Sequence, residues 1–155
     1  MIRDQELTFS DAQVLTATAL STNVIDLGPL SGMPSANLIR DIGEGEVMWL
    51  HVSSPTALDS SGEAATLTIT LESDDNAALS SATTHYTSGA LTEATVSAAG
   101  WELRVRVPPS AYQQYLGVRY TVGTENFTTG TISAALVRDS RGYRDYRAGS
   151  VSNAE

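Results

Sequence analysis

A chain of 155 residues is long enough to bury one substantial hydrophobic core, and a single domain is the expectation for that length. The net charge is −9 and all nine basic residues are Arg, which argues against the basic face a nucleic-acid binder needs to displace phosphate counterions. Cys is absent, so neither a disulfide framework nor a thiolate metal site can form.

The chain opens MIRDQELTF, with charges at Arg3, Asp4 and Glu6 and no apolar run behind them. A secretory leader is therefore not expected. No stretch approaches the ~20 apolar residues of a membrane span, so no membrane partner is expected either. Phe9-Ser10-Asp11-Ala12 has turn chemistry, Val14 to Leu20 alternates weakly, and Val24 to Leu27 reads as a short strand after the Ser21-Thr22-Asn23 turn.

Gly28 to Glu44 is the longest irregular segment, and its Pro and Gly content argues against a continuous helix or a central strand. It nevertheless carries Leu30, Met33, Leu38, Ile39 and Ile42. Either these tuck into the chain's own core, the usual behaviour of long loops, or Leu30 and Met33 dock on another subunit.

Glu46 to Val52 is nearly all apolar, as suits a central strand or an interface strand. Ser53 to Glu63 reads as a loop. Ala65 to Glu72 alternates cleanly, with Leu67, Ile69 and Leu71 on one face and Thr66, Thr68 and Thr70 on the other. Thr83 to Thr87 is a short strand candidate with a turn at Ser88-Gly89, and Leu91 to Ala98 is a weak strand. Trp101 to Val107 alternates again, with Leu103 and Val105 facing inward, and Pro108-Pro109 stops it. Ser110 to Gln114 has room for one helical turn.

Tyr115 to Asp139 then reads as a long hairpin. Val118 and Tyr120 share the core face of its first arm, and Ile132 and Leu136 that of its second. A connection of about eight residues, bracketed by Gly123 and Gly130, is longer than the usual two to five. Phe127 lies in it and becomes a candidate contact. Eight or nine short strands with no useful amphipathic helix predict an all-β, jelly-roll-like antiparallel sandwich over residues 1–137, with extended loops.

Residues 138–155 differ in texture. Arg138, Arg141, Arg144 and Arg147 recur every third position, with Tyr143 and Tyr146 between them, and the segment carries +1 against −10 for the rest. A solvated terminus is one reading. The other is an interface arm, since Arg and Tyr are enriched at interfaces, where Lys is depleted. A threefold spacing also suits an extended arm that presents one side to a surface.

No chemistry stands out elsewhere. His51 and His85 lack the spacing of a metal pair and are read as structural residues. Asp74-Asp75-Asn76 is read as a strand-ending turn before a Ca²⁺ ligand set. Trp49, Trp101 and Tyr86 could form a carbohydrate platform if exposed; the phase of both Trp residues with aliphatic neighbours favours core packing.

The order and spacing of Asp4 to Gln13, STNVIDLG at Ser21 to Gly28, TLTITLESDD at Thr66 to Asp75, and YLGVRYTVG followed by GTISAALVRD within Tyr115 to Asp139 resemble the tailed-phage capsid cement (decoration) proteins typified by that of a Bordetella phage. The segment Pro55 to Glu63 and the tail after Arg138 depart from that pattern. The resemblance implies a jelly roll on the outside of an HK97-type capsid, made in the bacterial cytoplasm. It implies a homo-oligomer, with a dimer favoured and a trimer possible, that staples neighbouring major capsid proteins. No catalysis and no cofactor are implied. A carbohydrate-binding jelly roll of a phage tail or fibre is the alternative.

Overall fold

The computed structural model describes residues 4–28, 40–41, 47–98 and 100–138. Period-two alternation builds two antiparallel sheets that press their apolar faces together. One runs in the order β1 (Thr8–Val14), β11 (Phe127–Val137), β5 (Trp49–Ser60), β8 (Glu102–Arg106). The other runs β2 (Ala19–Leu20), β10 (Tyr115–Gly123), β6 (Thr66–Asp74), β7 (Thr83–Thr92), with β3 (Ile25–Asp26) pairing β10 beyond β2. A short ladder joins β4 (Arg40–Asp41) to β9 (Ala111–Tyr112). A 3-10 turn at Gln5–Leu7 and a single helical turn, α1 (Glu93–Val96), complete the described elements.

Taking β2 and β3 as one interrupted strand and setting the β4–β9 ladder aside, eight positions remain, ordered 1-8-3-6 in one sheet and 2-7-4-5 in the other. This is the strand order of a jelly roll, two interlocked Greek keys. Seven of the nine expected core residues, Leu67, Ile69, Leu71, Val118, Tyr120, Ile132 and Leu136, are buried between the sheets. Leu103 and Val105 point inward but are only half-buried; among the described residues their strand, β8, has one strand neighbour, β5.

The largest departure from the sequence reading is at the C-terminal pair of strands. Tyr115 to Asp139 is not a hairpin. β10 pairs with β6 in one sheet and β11 pairs with β5 in the other. The chain crosses between sheets through Thr124, Glu125 and Asn126, so the connection is short rather than long. Alternation is identical in a hairpin and in an arch, so the pattern of residues could not separate them. Phe127 accordingly begins β11 and is buried in the core rather than carried on a loop.

Several turn-like stretches are bulged strands. β5 runs through Ser53 to Ser60, expected as loop, and Pro55 falls in a bulge where Ser54 and Pro55 of β5 face Ile132 alone of β11, past the last β5–β8 pair at Ser53. A proline is tolerated there because its missing N–H removes no regular ladder bond. β1 runs through Phe9 to Ala12 with register shifts on both sides of Ser10 and Ala12 at φ 47°. β7 passes through Ser88-Gly89, where Gly89 takes φ +69° and the Ser88 hydroxyl accepts the Ile69 N–H at 3.0 Å. Leu91 and Thr92 end that strand and the chain turns into α1, in place of the expected weak strand. Ser110 to Gln114 contains β9, not a helical turn.

Candidate interface surfaces

At one end of the sandwich the β5–β6 and β10–β11 crossings lie side by side, because β5 pairs with β11 and β6 with β10. Two carboxylates clasp them. Glu93, at the start of α1, accepts the Ser60 N–H at 2.7 Å, the Ser60 hydroxyl at 2.5 Å and the Ala65 N–H at 3.2 Å. Glu125 accepts the Ser61 hydroxyl at 2.7 Å and the Gly62 N–H at 3.0 Å. These donors, led by the Ser60 hydroxyl for Glu93 and the Ser61 hydroxyl for Glu125, hold both carboxyls below the ordinary glutamate range. Glu93 and Ser60 are buried, so the clasp is structural first. Neither carboxylate was legible as a partner of the other crossing, since 28 to 65 residues separate them from their donors.

On the outer face of the β1-β11-β5-β8 sheet, the register brings His51 beside Arg104 and Ala135, Trp49 beside Arg106 and Val137, and Ser53 beside Glu102 and Ser133. Glu102 forms an ion pair with Arg104, and its other oxygen stands 3.7 Å from His51 Nε2. His51 is buried, so this cluster joins a histidine to a carboxylate, but Arg104 already offers that carboxylate its charge. Trp49 is half-buried on this outer face and not part of the core, which corrects the expectation that both Trp residues pack inside. Trp101 and Tyr86 do pack against the core.

His85 is held between two hydroxyls. Ser73 Oγ lies 2.7 Å from its Nε2 and Ser110 Oγ 3.0 Å from its Nδ1, and the ring is tilted against Tyr112 at 4.1 Å. Ser73 also accepts the Gln113 N–H at 3.0 Å, and with its second lone pair and its proton it can bond the ring in either neutral tautomer. Burial lowers the His85 pKa, in keeping with this neutral form. Ser73 is wholly buried, and the chain of hydroxyls ties the β9 segment to β6 and β7.

On the outer face of the other sheet Arg119 bonds Glu72 at 2.9 Å and the Leu79 carbonyl at 2.8 Å. Leu79 is buried outside the main core, lying over Gly117, where a Cβ would meet its methyl at 2.5 Å. The loop that carries it starts with two side-chain-capped turns: Asp74 accepts the Asn76 N–H at 3.3 Å and Asn76 accepts the Ala78 N–H at 2.9 Å. Among the described residues, no group of three or more acidic or His side chains is placed to hold a metal ion.

An open groove of about 1020 Å³ lies against the 3-10 turn and β1, lined by Asp4, Glu6, Asp11, Thr22 and Asn23 among others. It gathers three carboxylates. Of the residues nominated from sequence as contacts, Phe127 is interior and Arg138 is exposed just past the end of β11. Leu30, Met33, Arg141, Tyr143, Arg144, Tyr146 and Arg147 lie outside the described residues.

A family model, Bbp16, matches residues 9–136, a span that starts within β1 and ends within β11. No curated protein matches the sequence. No helix of the described residues is long and apolar enough to cross a membrane.

Proposed function

This chain belongs to the Bbp16 family of phage structural proteins, and from that premise we propose that it is a capsid cement protein. In this reading it binds the exterior of an HK97-type shell and staples neighbouring major capsid proteins, without catalysis or cofactor. The observation that carries the reading is the family match across the sandwich, from Phe9 to Leu136. The physics is compatible with it. A charge of −9 keeps free subunits soluble, and many modest contacts acting together secure a seam because several must fail before it opens.

The Arg/Tyr segment from Arg138 to Arg147 is the proposed contact arm. Arg presents a planar fork to carboxylates and carbonyls, and Tyr covers apolar surface. On a neighbouring copy, the groove lined by Asp4, Glu6 and Asp11 has the matching sign.

The test is decoration of shells assembled without this protein. Purified chain should co-sediment with preassembled shells and not with free capsid protein, add density to the outer surface in cryo-EM, and raise the temperature at which shells release DNA. Shells that bind none of it at saturating concentration would rule the reading out.

A further inference from the structure

We propose that His85 is an acid-sensitive clip: its neutral ring pins residues 108–114, with the β4 strand paired to them, against β6 and β7, and protonation releases them. The clip acts within one molecule and does not depend on the cement reading.

The segment it holds is lightly attached. Pro108 and Pro109 have no N–H to give, and β9 joins neither main sheet; among the described residues its strand partner is the two-residue β4. Side chains tie it to the sandwich instead. Tyr112 packs into the core, the Gln113 N–H reaches Ser73 Oγ, and Ser110 Oγ meets His85 Nδ1. All three contacts converge on one ring, because Ser73 Oγ also meets His85 Nε2 and the Tyr112 ring lies tilted against it. A stretch with few ladder bonds of its own is the kind that opens locally while the rest stays folded.

β7 is shaped to aim that ring. Leu71 pairs with Tyr86 and Glu72 with Thr84, which leaves His85 as the extra residue of a bulge. Unbroken alternation would turn His85 away from the face on which Tyr86 packs against the core. The bulge re-aims it toward Ser73 and Ser110.

The surroundings suit a neutral ring and not a charged one. His85 is half-buried, and among the described residues no carboxylate forms an ion pair with it. Glu72 and Asp74, on either side of Ser73 in β6, are engaged by Arg119 and by Ser81. β7 adds only the phenol of Tyr86, and residues 108–114 only that of Tyr112, both uncharged near neutral pH. Arg40 and Asp41 of β4, one of each sign, stand opposite Tyr112 and Ala111. Protonation also disturbs the hydroxyls. Ser73 is wholly buried; its Oγ can give a proton to a neutral Nε2 but not to an imidazolium. The charged ring and the Gln113 N–H would then press two donors on one oxygen whose own proton has lost the ring as acceptor.

Burial accordingly holds the His85 pKa below the ordinary 6.5. The clip is therefore complete above 6.5 and weakens as pH falls beneath it, because the released segment leaves the ring free to take a proton.

Hydrogen exchange of the full chain tests this between about pH 5 and 7.5, which brackets the ordinary histidine value, with rates corrected for intrinsic exchange. In wild type the open fraction of residues 110–114 should rise as pH falls below 6.5, by at most about tenfold per pH unit, the limit for one proton. Amides of the β6–β10 ladder should keep their protection. So should those of β5, which carries His51, the chain's one other histidine. His85→Gln keeps a donor and an acceptor but takes no charge, and its exchange at 110–114 should not vary over this range. NMR of wild type gives a second readout that needs no variant: the His85 ring should titrate below 6.5, and the Gln113 amide should shift in step with it. Four results would each overturn the clip: exchange at 110–114 that does not change with pH in wild type, the same pH slope in His85→Gln, loss of protection in both main sheets together with the segment, or a ring that titrates with the Gln113 amide unmoved.

Discussion

At the scale of single residues, strand phase was the most legible property. The alternation of Leu67, Ile69 and Leu71 against threonines placed all three in the core, where each is fully buried. Ile69→Ala should therefore cost about 2–5 kcal/mol in a denaturant melt, as a truncation in a packed interior does. The polar partners were not legible, because a carboxylate's donors are chosen by the fold. Glu93 and Glu125 illustrate this, and they set a pH dependence. Their carboxyls are held below the ordinary value of 4.5, so they contribute stability that is complete above that value and lost as pH falls beneath it. Melting temperature should drop on acidification below about pH 4.5, the ordinary glutamate range. The drop should be shallower in Glu93→Gln and Glu125→Gln, each of which keeps an acceptor but has no charge to lose.

At the scale of elements, bulges and crossings decided what could be read. Pro55, Ser88-Gly89 and Ser10-Asp11-Ala12 look like turns because bulges use the same residues that turns use. Each instead bends a strand that continues. The β10–β11 arch was misread as a hairpin for a related reason, since nothing in the pattern of either strand names the sheet it joins. Gly130 marks how closely the result is packed. It sits in β11 at φ +121°, and a Cβ there would lie 2.6 Å from Leu58 Cα and 2.7 Å from the Ala57 carbonyl. Both obstacles are backbone of β5, which cannot swing aside. Gly130→Ala should lose about 2 kcal/mol or more, through backbone strain and the clash together. Gly62→Ala provides a contrast in the same assay. Its Cβ would meet the Glu125 carboxylate at 2.6 Å, the mobile end of a side chain, so the substitution should cost less.

At the scale of the whole molecule, the sandwich ends with β11 at Val137, and the Arg/Tyr segment follows it. Removing residues 139–155 should leave the denaturation midpoint within the roughly 0.5 kcal/mol typical of surface changes, while lowering affinity for shells. Added salt should weaken shell binding by the intact chain more than by the truncated one, to the extent that the arm makes exposed ion pairs. Equal affinities would reduce the segment to a solvated terminus. Fold class was readable from spacing; which strands pair, and hence the place of β8 at a rim of its sheet among the described residues, was not, because that depends on which strands arrive beside it.

The strand order has a further consequence in time. Of the ladders among the described residues of the two main sheets, only β6–β7 joins strands that follow one another in the chain. Every other ladder must wait for segments far apart in sequence to meet, and the entropy of closing those loops is spent before the contacts form. Such topologies fold in milliseconds to seconds, slowly for their size. Opening one from the native side likewise requires both crossings and their carboxylate clasp to give way together. Under the cement reading proposed above, a detached subunit should therefore stay folded long enough to bind again, which slow unfolding of the free chain in a pulse-proteolysis assay would register.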